Sequence, residues 1–196
     1  MNLVDRVKNI LITPKSEWQV INTETQSVAS LYTQYVMILA AIPAVASFIG
    51  FSVVGYSGFG GGISYKIPMG AGLANMILGY VMTLGAVYVM ALVIDALAPN
   101  FGGEKNFIQS LKVAAFFPTA SWVAGIFSIL PTLAILGILG GLYSLYLLYT
   151  GLGPLKNVPE DKSIGYTVVV VIVAIVLMVV ISTIAALAMP STTRGF

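Results

Sequence analysis

Apolar residues run along this chain in blocks of about twenty, longer than the alternation of a strand or the one-sided stripe of a soluble helix. Five blocks with at most one charge each stand out, at residues 35–56, 72–97, 107–130, 132–152 and 164–189. A helix rises about 1.5 Å per residue, so roughly 20 apolar residues cross the roughly 30 Å hydrocarbon core of a bilayer. The fifth block, GYTVVVVIVAIVLMVVISTIAALAM, is rich in β-branched residues, but it is far longer than a strand of about 3–10 residues. Between the third and fourth blocks only the Leu-Pro-Thr step at Pro131 intervenes, which predicts a tight hairpin with the proline opening the returning helix. The predicted fold is all-α, a polytopic bundle of five transmembrane helices.

Ahead of the first block the period changes. Leu3, Val4, Val7, Ile10 and Leu11 recur at helical spacing with Asp5, Arg6, Lys8 and Asn9 between them, predicting an amphipathic helix on the membrane surface. TPKSEW restarts a helix, with Thr13 as N-cap, Pro14 at the first helical position and Trp18 suited to the headgroup boundary. Pro14 and Trp18 are therefore expected to be interface anchors. The expected organisation is a cytoplasmic amphipathic segment (1–34), a five-span domain (35–189) and a short external tail (190–196). The N-terminal stretch does not read as a secretory signal. YSGFGGGISYKIPMG, between the first two blocks, is expected to be a mobile external loop, and it holds no complete phosphate-binding glycine motif.

Composition supports hydrocarbon as the main solvent, with 58% hydrophobic and 8% charged residues against about a quarter charged in a soluble domain. A net charge of +2 without a basic cluster sets nucleic acid aside. With no cysteine and no histidine there is no disulfide, no thiolate nucleophile and no ordinary zinc site. No cofactor or metal is expected. If the N-terminus faces the cytoplasm, Arg6, Lys8, Lys15, Lys105, Lys112, Lys156 and Lys162 lie on the inner side and only Lys66 and Arg194 outside. That bias predicts the N-terminus inside and the C-terminus outside. GPLKNVPEDKS then reads as a cytoplasmic connector, where charges gather because so little other sequence leaves the bilayer on that side.

Few residues are candidates for chemistry. Asp95 and Lys112 are the ionisable residues, tyrosines aside, near the limits of the apolar blocks, and an intramembrane charge marks a functional candidate by default. Consecutive helices could bring them together as an ion pair, or Lys112 could snorkel to the interface. Tyr143, Tyr146 and Tyr149 advance by three, so Tyr149 fits the aromatic belt while Tyr143 lies deeper and needs a hydrogen-bond partner. Gly137 with Gly141, and Ala46 with Gly50, have small-residue spacing that allows close helix approach. Glu160 and Asp161 after Pro159 suit the first turn of a helix, where negative charge offsets its dipole. No histidine base stands beside any hydroxyl, so no catalytic constellation emerges, and an enzyme is not expected.

RVKNILITPKSEWQVI near the start and LYSLYLLYTGLGPLKNVPEDKSIGYTVVVVIVAIV near the end resemble the Yip-domain family, in particular its small bacterial inner-membrane members. The resemblance covers nearly the whole chain. It implies five spans and a cytoplasmic N-terminus, and it matches Tyr143, Tyr146, Tyr149, Gly151, Pro154, Pro159, Gly165 and Tyr166 to one family segment and Pro14 and Trp18 to another. Eukaryotic members carry a longer cytoplasmic region and interact with Rab-type GTPases, so that partner is implied only for a eukaryotic source. The expected function is a non-enzymatic membrane-organising or scaffolding protein in a bacterial inner membrane, acting on membrane lipids, further copies of itself or other membrane proteins. The alternative is a small oligomeric transporter or channel subunit with a polar path near Asp95, Lys112, Asn75 and the tyrosines.

Overall fold

A computed structural model describes residues 2–57, 64–133 and 135–188, and these are overwhelmingly helical. Helix α1 (Leu3–Ile12) starts where the Asn2 side chain accepts the Asp5 N–H at 2.8 Å, satisfying one of the amides a helix start leaves open. It stops at Thr13, because Pro14 opens α2 (Pro14–Thr23) with its fixed φ. Thr13 occupies the predicted cap position, but its hydroxyl turns back to donate to the Asn9 carbonyl at 3.1 Å instead of capping α2.

Five helices are long and apolar enough to cross a membrane: Val28–Val54, Met69–Phe101, Phe107–Ile129, Leu136–Lys156 and Glu160–Ile184. The first begins seven residues ahead of the apolar block at 35. A reciprocal cap between Ser27 and Ser30 nucleates α3 (Val28–Leu31), and α4 (Met37–Phe48) follows a π-helical turn at Tyr32–Val36. A second π turn, Ile49–Val54, closes at Gly55, whose φ of +82° a glycine adopts without strain. The ends of the glycine-rich loop pair as two-residue antiparallel strands, Tyr56–Ser57 with Ser64–Tyr65. Residues 58–63, on which the mobile-loop expectation falls, lie outside the described residues, as does the predicted 190–196 tail.

The second span is α5 (Met69–Leu97) with a short 3-10 extension. The third breaks at Pro118, which has no N–H to give Ala114, into α6 (Phe107–Phe116), α7 (Thr119–Ala124) and a 3-10 run to Ile129. Helix α8 (Leu136–Lys156) carries Pro154 without stopping and ends at Asn157 in the left-handed region, φ 53°. Helix α9 (Glu160–Ala188) then starts with Glu160 and Asp161 in its first turn, as predicted. Pro159 sits just outside it, its carbonyl accepting the Lys162 and Ser163 amides. The expected eleven-residue connector is therefore almost entirely helical, reduced to residues 157–159.

Helix α6 is the hub. Ser110 to Phe116 are all buried, enclosed by α5, α8 and the N-terminal helices. Outward faces, such as Val168, Ile172, Ile175 and Met178 of α9, are exposed and apolar, the surface a bilayer accepts. Small residues allow the close crossings, though not always the predicted ones. A β-carbon on Gly50 would fall 2.0 Å from the Ser128 carbonyl oxygen, which bears out Ala46/Gly50 as a packing pair. A β-carbon on Gly137 or Gly141 would meet nothing within 4 Å. Within this chain the tight position is Gly140 between them, where a β-carbon would fall 2.5 Å from that of Ala124. The Gly-x-x-x-Gly spacing is thus out of register with the face that packs on α7.

Candidate functional site

Several of the chain's few charges converge at one end of the bundle, where α1 and α2 lie across the ends of the spans. Arg6, Glu17, Lys112 and Lys156 are each at most 5% exposed. The Arg6 guanidinium donates to Glu17 and, with its other terminal nitrogen, to both oxygens of Glu24, and it stands 5.6 Å over the Phe116 ring. Arg6 lies four residues before Ile10, which is also buried, so it belongs to the inward face of α1 and not to the polar face assigned from the pattern. That spacing was the available signal. Its partners, 11 and 18 residues away, follow only from the turn between α1 and α2.

Asp95 and Lys112 do not pair. Lys112 Nζ donates to the Ile21 carbonyl at 2.8 Å and the Glu24 carbonyl at 2.6 Å. It closes the C-terminal end of α2, where unpaired carbonyls and the helix dipole favour a cation. It is 1% exposed, so it does not snorkel. Next to it, Gln109 donates to the Asn22 carbonyl and side-chain oxygens at 3.1 and 2.9 Å. Asp95 instead accepts from Lys156 Nζ at 2.9 Å, the Asn106 amide at 2.8 Å and the Ser110 hydroxyl at 3.1 Å. Lys156 also donates to the Asn106 carbonyl at 3.1 Å. The pairing departs from the sequence expectation because α8 runs four residues beyond the apolar block at 152 and carries Lys156 inward beside Asp95.

Trp18 is the second correction. It is fully buried, edge-on to Phe116 with centroids 6.3 Å apart, and not a headgroup anchor. Gly151 makes room for it, since a β-carbon there would sit 2.6 Å from the indole ring. Pro14, the other expected anchor, is buried at the head of α2. Tyr143 finds its partner in the Leu11 carbonyl at 2.7 Å and so ties α8 to the end of α1, while Tyr146 and Tyr149 are exposed as a belt requires. Tyr166 is buried, donates to the Ile94 carbonyl and stacks on Phe101 with centroids 5.0 Å apart. Exposed Gly165 lies beside Phe101, Pro154 lies inside α8 near its end, and Pro159 closes the turn into α9. The matched residues thus surround one structural end, in which α1 and α2 are pinned to the spans by charge and by Trp18.

Five apolar helices with a buried ionic layer at one end define a polytopic helical membrane protein. The Yip1 domain profile matches residues 8–181, and the chain belongs to that family. The inner membrane protein YohC of Escherichia coli K12 is 33% identical over 118 residues, 60% of this chain and 60% of that protein. YohC of E. coli O6:H1 strain CFT073 matches to the same extent. The match thus spans about three-fifths of the length of these curated relatives. No solved structure matches the chain.

Proposed function

We propose that the chain is a non-enzymatic membrane-organising protein of the bacterial inner membrane, working from the side on which α1 and α2 lie through contact with lipids or neighbouring membrane proteins. The observation that carries this reading is how the intramembrane charges are used. Asp95, Lys112 and Lys156 are each engaged in internal bonds, so among the described residues these intramembrane charges are tied up within the fold. The outer surface of α1 and α2 presents Val4, Ile12 and Val20 with Lys8 and Lys15, a pattern suited to anionic headgroups. The excess of Lys and Arg on that side supports a cytoplasmic N-terminus, and the name of the E. coli relatives supports the inner membrane. A Rab-type GTPase partner is not carried over to a bacterial protein.

Proteoliposomes test this. Nitroxides at residues 4, 12 and 20 are expected at headgroup depth, with no selective ion or solute flux. Labels fully in water would overturn the surface-contact reading. A selective flux abolished by Asp95→Asn would replace it with a transporter or channel.

A further inference from the structure

At the end of the bundle opposite the charged layer, a cleft of about 460 Å3 opens between α4, its terminal π turn and α5. Its walls are mostly apolar, yet five polar side chains from two spans line it, Tyr80 and Thr83 bonded to the Met37 and Gly79 carbonyls and the other three not. Ser52 is buried, pressed against Gly72, and its hydroxyl has no hydrogen-bond partner. The Ser47 hydroxyl and the Asn75 carboxamide also line the cleft and have no partner among the described residues. Asn75 lies six residues inside α5, about 9 Å from its start at 1.5 Å per residue. Unpaired polar groups at that depth are costly, because hydrocarbon offers them nothing. They mark a place where a ligand with hydrogen-bonding atoms is accommodated.

The cleft shares Thr83 and Ile181 with a second apolar cavity of about 260 Å3 that reaches Met90 and Trp122. From Asn75 to Thr83, where the two cavities meet, the path follows about 12 Å of helix, within the roughly 15 Å depth of one leaflet's hydrocarbon. Exposed Lys66 directly precedes Ile67, which lines the cleft and donates its amide to the carbonyl of cleft-lining Phe51 at 3.0 Å. Its ammonium gives one proton to the Val53 carbonyl at 2.6 Å and has two left to donate. Among the described residues it is the one charge at this end of the bundle.

We propose that this cleft is a binding site for one anionic phospholipid of the leaflet opposite the charged end: the phosphate at Lys66, the glycerol-ester region at Asn75 with Ser47, and an acyl chain along α5 to Thr83. The site lies in the leaflet away from α1 and α2 and so goes beyond the surface contact proposed above. It is tested by native mass spectrometry of the full-length protein, extracted in mild detergent with equimolar phosphatidylglycerol and phosphatidylethanolamine of identical chains. Wild type should retain one phosphatidylglycerol with at least tenfold preference. Lys66→Gln should bring that preference near one with the lipid still retained, and Asn75→Leu should lower retention about tenfold. Ser47→Ala, a milder change, should lower it in the same direction if the leucine variant folds poorly. Unchanged retention in these variants, or several lipids held without headgroup preference, would overturn the site. The headgroup-depth labels on α1 and α2 do not depend on these residues, so failure of the site leaves the proposed function standing.

Discussion

Arg6→Met is expected to destabilise the protein by about 3–5 kcal/mol, the cost of removing one member of a buried ionic group. The methionine keeps most of the side chain's bulk, so a cavity is not the main effect. The loss comes from stranding Glu17, 4% exposed, without a counter-charge, and from freeing Glu24, which retains a 3.0 Å bond from Gln26 Nε2. Arg6 also ties α1 to the end of α2, so its loss is expected to release α1 before the spans unfold. Adding Glu17→Gln and Glu24→Gln to Arg6→Met should recover most of the loss, because a neutral amide costs less to bury than an unpaired carboxylate. Equilibrium unfolding in mild detergent checks both steps. A loss under about 1 kcal/mol would mean that Arg6 is solvated like an ordinary surface ion pair.

Breaking the Asp95–Lys156 pair should be nearly as costly, and unequal from its two sides. Asp95→Asn leaves the fully buried Lys156 ammonium with neutral carbonyl acceptors in place of its bonded carboxylate, so about 3–5 kcal/mol is expected. Lys156→Met leaves a carboxylate whose side chain is 21% exposed and still accepts from the Asn106 amide and the Ser110 hydroxyl, so its effect falls at the low end of that range. The double variant should be more stable than the sum of the two losses implies, with a coupling of about 0.5–3 kcal/mol. Asp95→Asn with Lys112→Gln should instead be additive, because those residues share no partner. Additivity for Asp95 with Lys156 and coupling for Asp95 with Lys112 would reverse the assignment.

The spans were legible because a bilayer imposes one length on every crossing helix, and no soluble element shares it. Their limits were less so. The first span starts at Val28, where Ser27, Ser30, Thr33 and Gln34 make its opening turns look like a polar lead-in. The fourth apolar block ends at 152, yet α8 continues through Pro154 and carries Lys156 into the core. The need of Tyr143 for a partner could be stated from its depth, but that the partner is the end of α1, 132 residues away, could not. Charge partners are hidden for the same reason, since Asp95 and Lys156 are 61 residues apart and nothing local selects one cation over another. Trp18 shows a different limit: an indole is equally suited to the headgroup layer and to a pocket over glycine, and only the approach of α8 at Gly151 decides between them.

That pocket offers the most direct measurement. The chain has two tryptophans, so Trp122→Phe leaves Trp18 as the sole indole reporter. If the N-terminal helices are docked on the bundle as part of one folded unit, Trp18 emission in vesicles should be nearly insensitive to acrylamide and to headgroup-depth nitroxide lipids, and should become sensitive when Arg6→Met is added. Strong quenching by shallow nitroxide lipids before that substitution would show Trp18 lying in the headgroup layer and would contradict the docked arrangement.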